Sequence, residues 1–140
     1  MRFLQQRPLL RTTAAIAAIA GSLAPVAAQQ TPGRITVVAS NKLPNVPGKS
    51  VTAVLVRYAP GEASGPHHHA GSVFAYVLSG AIRSEVSTAG PAKVYQTGES
   101  FFEPPGSDHL VSANASTTEP ASLLAIFVAD DGAVLTTPNK

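Results

Sequence analysis

Short runs of β-type residues, each cut off by glycine or proline, constrain this chain more than any other feature. Eight of them follow one another: "ITVVAS" (35–40), "VTAVLVRYA" (51–59), "SVFAYVLS" (72–79), "AIRSEV" (81–86), "AKVYQ" (92–96), "SFFEP" (100–104), "HLVSA" (109–113) and "SLLAIFVA" (122–129). Between them lie "NVPGKS", "APGEASGP", "SG", "AGP", "TGE" and "PPGSD", whose residues set turn geometry for distinct steric reasons. No segment of this region repeats its apolar residues at a helical period. Short strands at such spacing close on themselves as an antiparallel sandwich or barrel. The expected fold class is therefore all-β, one domain, which also suits a length of 140 residues.

The first 28 residues follow different rules. "MRFLQQRPLLR" is positively charged and has no acid, and "TTAAIAAIAGSLAPV" is apolar but short and rich in alanine. Small residues at Val26–Ala28 suit a signal peptidase, so residues 1–28 read as a secretory signal peptide cleaved after Ala28. The expected location is periplasmic or secreted, with no stable membrane association after cleavage. Residues 29–49 then form an N-terminal leader and first strand, and residues 50–140 the barrel domain. Beyond residue 28 there are seven Lys/Arg against eight Asp/Glu, a net charge of −1. The formal charge of +2 for the whole chain thus belongs mainly to the signal, and nothing points to nucleic acid as a partner.

The chain has no cysteine, so no disulfide staples the fold and no thiolate can serve a metal. Any ion would rest on imidazole, carboxylate, carbonyl or water. Three of the four histidines stand together in "PHHHAG". On an extended strand His67 and His69 project from one face and His68 from the other, the parity a strand-borne metal site requires. A third imidazole would come from His109, although spacing alone does not place its strand beside the first.

The motifs around these residues resemble those of single-domain cupins of the small double-stranded β-helix type. Gly61, His67, His69 and Gly80 match the family's first motif, with Val73 where it carries a glutamate. Gly98, Pro104, Gly106 and His109 match the second in register. Asn114 comes one residue late, and Ala113 stands in the asparagine's place. The resemblance covers roughly residues 50–128. It implies a jelly-roll barrel in which His67, His69 and His109 bind one divalent transition metal such as Fe, Mn, Ni or Zn. Three neutral imidazoles would leave the ion's charge uncompensated and positions open for a small oxygenated ligand.

Glu103, just before "PPG", shares strand parity with Phe101. If that face lines the pocket, Glu103 is the candidate catalytic group, as general base or as the carboxylate that replaces the missing ligand. Otherwise it is a solvated rim residue. Tyr95 and Arg83 are weaker pocket-edge candidates, and Glu99 and Asp108 read as turn residues. On the run 72–79, Val73, Ala75 and Val77 share one face and Phe74, Tyr76 and Leu78 the other. With the first set inward, the second would leave an apolar row in water, which a homodimer or the N-terminal strands would cover. Two functions fit these observations. One is a metal-dependent enzyme of dioxygenase, isomerase or lyase type. The other is a non-catalytic module that binds a small molecule or a metal.

Overall fold

The computed structural model describes residues 34–140, and the proposed signal peptide lies outside them. Each of the eight expected runs is a strand. Three shorter strands join them, giving β1 (Ile35–Lys42), β2 (Lys49–Tyr58), β3 (Ala63–Ser64), β4 (His67–His69), β5 (Ser72–Ser79), β6 (Ala81–Val86), β7 (Lys93–Gln96), β8 (Ser100–Glu103), β9 (Asp108–Asn114), β10 (Ala121–Asp130) and β11 (Thr136–Pro138). Among the described residues there is no helix.

The strands form two antiparallel sheets, one in the order β1-β2-β10-β5-β8 and the other β11-β4-β9-β6-β7, with β3 beside β9. From β2 onward the chain passes repeatedly from one sheet to the other, and several corners need a residue without a side chain. Gly80 joins β5 in the first sheet to β6 in the second. It has a φ of 67°, and a Cβ there would meet the Pro120 carbonyl oxygen at 2.6 Å. At Gly71, between β4 and β5, a Cβ would fall 2.1 Å from the Val128 carbonyl oxygen. Both corners depend on glycine letting two backbones approach.

Alternation along the strands decides what is buried. On β5 Val73, Ala75 and Val77 point inward, while Phe74, Tyr76 and Leu78 are exposed. Val73 and Val77 meet Val54, Ile82, Phe101, Leu123, Ala125 and Phe127 in a core between the sheets. The outer face of the first sheet carries a cross-strand apolar row, with Phe102 opposite Phe74, Phe74 opposite Ile126, and Ile126 opposite Ala53.

One irregularity decides which side chains of β9 face inward. Glu85 pairs with Val111 but Val86 pairs with His109, so Leu110 is an extra residue bulged out of β9. A bulge shifts every later side chain on its strand to the opposite face. His109, Ser112 and Asn114 are consequently all buried, though odd-numbered steps separate the first from the other two. Buried Asn114 holds the loop after β9: its amide donates to the carbonyls of Ala59 and Glu119, and its oxygen accepts from the Ser116 amide.

Candidate metal centre

His67 and His69 occupy the ends of the three-residue strand β4, which lies between β11 and β9. His67 pairs directly with His109 across the β4–β9 ladder, the neighbour relation that spacing alone left open. The ring centroids are 4.8 Å apart for His67–His69, 5.0 Å for His67–His109 and 6.3 Å for His69–His109. One ring nitrogen from each lies within 4.8 Å of the other two.

The opposite nitrogens are already held by protein. His67 Nδ1 donates to the Gly65 carbonyl at 2.8 Å and His69 Nδ1 to the Leu135 carbonyl at 3.0 Å. His109 Nε2 shares a 2.9 Å hydrogen bond with Ser84 Oγ. A proton fixed on Nδ1 places the lone pair on Nε2, as a metal-ligating imidazole needs. His69 also packs edge-on against Phe127, its ring centroid 5.1 Å away, which fixes the ring plane.

Glu103 stands beside two of the three rings. Its strand β8 pairs with β5 so that Glu103 stands directly opposite Val73, the position where the resemblance leads one to expect a glutamate. A carboxyl group thus stands across the ladder from that position. Glu103 is 3% exposed, with Oε2 3.1 Å from His109 Nδ1 and 3.5 Å from His69 Nε2. Neither approach makes a hydrogen bond, and both Glu103 Oε2 and His109 Nδ1 are buried without a hydrogen-bond partner. Unpartnered buried polar atoms are costly, and a donor set of imidazole nitrogens with one carboxylate oxygen suits a divalent transition metal. The residues present thus fit such an ion.

Burial also tunes the imidazoles. It holds the pKa of His67 and of His69 below the ordinary histidine value, with neighbouring rings pushing the same way. The Gly65 and Leu135 hydrogen bonds and the Glu103 carboxylate oppose this shift without overcoming it. Neutral rings, the form that can ligate, are favoured.

The cluster opens into a cavity of about 270 Å³ between the sheets. Val54, Ala75, Leu123, Ala125 and Phe127 line its middle, and Tyr58, Ser64, Ser112 and Arg34 line it as well. These last four were not singled out from the sequence. Tyr58 and Arg34 sit in unremarkable strand contexts, and the parity of Ser112 is reversed by the Leu110 bulge.

The other residues considered from the sequence fall elsewhere. His68 turns away from the cluster and bonds Asn139 Oδ1 at 2.9 Å, while Asn139 in turn donates to Asp108 Oδ1 at 3.0 Å. This chain of bonds ties β11 to the histidine strand. Glu99 accepts from the Gln96 amide within its own turn. Tyr95 packs on Phe101 behind the cavity wall, with ring centroids 4.9 Å apart, and Arg83 is exposed, so neither lines the cavity.

The chain belongs to the family described as cupin domain, whose profile matches residues 54–127. No curated protein sequence matches it. Among solved structures it resembles an uncharacterized conserved protein with a double-stranded β-helix domain from Klebsiella pneumoniae. That match has a TM-score of 0.57 at 20% identity, covering 80% of this chain and 90% of the other. The DMSP lyase DddQ from Ruegeria pomeroyi matches with a TM-score of 0.55 at 18% identity, over 64% of this chain and 43% of that one. Oxalate decarboxylase from Bacillus subtilis matches with a TM-score of 0.53 at 22% identity, over 65% of this chain and 24% of that one. The chain spans less than half the length of either enzyme, and the likeness is one of fold.

Proposed function

We propose that this protein is an exported, metal-dependent cupin enzyme of dioxygenase, isomerase or lyase type acting on a small oxygenated metabolite. His67, His69 and His109 hold the ion, and Glu103 supplies the carboxylate. One observation carries this reading: three imidazole nitrogens converge on the wall of a cavity of about 270 Å³, with a buried, unpartnered carboxyl oxygen beside two of them. That volume suits a metabolite rather than a drug-sized ligand.

When bound, a divalent transition metal would act as a Lewis acid toward a carboxylate, enolate or carbonyl oxygen. The chain's own residues do the rest. The Gly65 and Leu135 carbonyls and Ser84 hold the rings in their ligating orientation. Phe101, Phe127 and the aliphatic residues around the cavity exclude water. Glu103 would serve as a further ligand, because Oε2 lies 3.1 Å from His109 Nδ1 and 3.5 Å from His69 Nε2. The same oxygen lines the cavity, where it is placed to take a proton from a bound ligand.

The alternative of a non-catalytic binding module would use the same ligands and cavity, and turnover separates the two. The test is metal analysis of protein recovered from the periplasm without affinity to immobilised metal, followed by oxygen uptake with diketone, flavonol and catechol substrates and product analysis with small oxygenated acids. One ion per chain with turnover supports the enzyme, and one ion without turnover on any substrate class favours the module. The same preparation tests export, for which the expected N-terminus is Gln29. The outer row of Phe74, Tyr76, Leu78 and Phe102 supports a homodimer.

A further inference from the structure

The cavity has a second polar end. Tyr58, 3% exposed, reaches from β2 with its hydroxyl 2.7 Å from Ser112 Oγ and 2.9 Å from Ser64 Oγ. Arg34 donates from Nη2 to Ser64 Oγ and lies over the Tyr58 ring, 5.0 Å from its centroid. Its Nε, 3.2 Å from Glu62 Oε1, is buried without a hydrogen bond. Ser64 and Ser112 face each other across the β3–β9 ladder, three residues along β9 from His109.

A count of hydrogens shows what this end lacks. Three contacts link the four groups: Arg34 to Ser64, Ser64 to Tyr58, and Tyr58 to Ser112. The guanidinium only donates, and each hydroxyl has one proton to give. Arg34 donates in one contact, so the other two use two of the three hydroxyl hydrogens, and one hydroxyl hydrogen is left over whichever way the chain of bonds runs. That hydrogen can serve an acceptor in the cavity, and a carboxylate is the strongest acceptor among small metabolite groups.

We propose that Tyr58, Ser64 and Ser112, backed by Arg34, form a distal subsite for the carboxylate of a short diacid whose other end lies at the histidines. This rests on the reading of the histidine cluster as a metal site. With the bulge at Leu110, the two ends stand roughly 7–10 Å apart along β9. A metal–oxygen bond takes about 2 Å of this and a hydrogen bond about 2.8 Å. The remaining roughly 2–5 Å fits between the terminal oxygens of a diacid of about three to five carbons. The apolar middle formed by Val54, Leu123 and Ala125 suits its methylene chain.

The test is calorimetric binding to protein loaded with whichever of Mn²⁺, Fe²⁺, Ni²⁺ or Zn²⁺ it retains. Malonate, succinate and glutarate are compared with propionate, butyrate and pentanoate. The expected result is that one diacid binds about tenfold more tightly than its monoacid, and that Ser112→Ala and Tyr58→Phe each erase most of that preference. Monoacid affinity and metal per chain should stay unchanged in both variants. Metal-loaded protein with no preference for a diacid, or a preference that survives both substitutions, overturns the distal subsite and leaves the metal reading standing. A chain that retains none of the four ions overturns both.

Discussion

Replacing Glu103 with glutamine should move stability in opposite directions with and without metal. In the metal-free protein Glu103 Oε2 and His109 Nδ1 face each other at 3.1 Å, buried and without hydrogen bonds. At pH 8 the rings of His67 and His69 are neutral, since burial already holds their pKa values below the ordinary one. Two acceptors then confront each other wherever His109 keeps its proton on the Ser84 side. Glu103→Gln keeps the shape and offers an N–H to that nitrogen. Leaving a buried polar atom unsatisfied costs about 1–3 kcal/mol, so relieving it should stabilise the metal-free variant by about 1–2 kcal/mol. For a domain of this size that raises Tm by about 4–8 °C.

Metal should invert the order. An ion at one hundred times its Kd stabilises the wild type by about 2.7 kcal/mol. A variant whose affinity is about a hundredfold weaker gains only about 0.4 kcal/mol at the same concentration. Differential scanning calorimetry at pH 8, first in chelator and then in excess Mn²⁺, reads both halves. A variant that melts below the wild type in chelator, or that gains as much from Mn²⁺, would refute the assignment of Glu103 as the site's carboxylate.

Alanine at His67, His69 or His109 should each abolish the bound ion, whereas His68→Ala should retain it and lose only part of the anchoring of β11 through Asn139. Metal per chain by elemental analysis decides this, and loss in the His68 variant alone would reverse the register. Stability of the metal-free protein should be fullest above pH 6.5 and should fall as pH drops from there toward the lowered pKa values of His67 and His69, because the unfolded chain takes up those protons first. Urea midpoints that do not change between pH 8 and pH 5 would contradict it. Val73→Glu should destabilise the fold by about 3 kcal/mol or more, since it buries a second carboxyl opposite Glu103 at a position that is 0% exposed. An unchanged melting temperature with tighter metal binding would count against Glu103 as the site's carboxylate. Tyr76→Glu should turn a dimer into a monomer, and a wild type that sediments as a monomer at high concentration would end the dimer proposal.

The part of the fold legible in the residues obeys local rules. A period of two placed Val73, Ala75 and Val77 inward, put His67 and His69 on one side of β4, and aligned Glu103 with Phe101. Glycine and proline marked nearly every corner. The strands β3, β4 and β11 span two or three residues each, too few for an alternating pattern to register. The pairing of Val73 with Glu103 joins residues thirty positions apart, and no local property encodes that register. The bulge at Leu110 was hidden for a similar reason, because an extra residue shows only against the strand beside it.

That bulge also shapes how the protein can change by descent. Residues on β9 up to His109 keep their facing whatever happens at position 110, whereas Ser112 and Asn114 owe theirs to the extra residue. Loss of a single codon there would spare the third histidine while turning the distal serine and the loop-holding asparagine toward solvent. Point substitutions can thus retune either end of the cavity separately, but a change of length in β9 alters one end and the adjoining loop at a stroke. The two ends of the cavity are free to diverge in chemistry only for as long as the strand between them keeps its length.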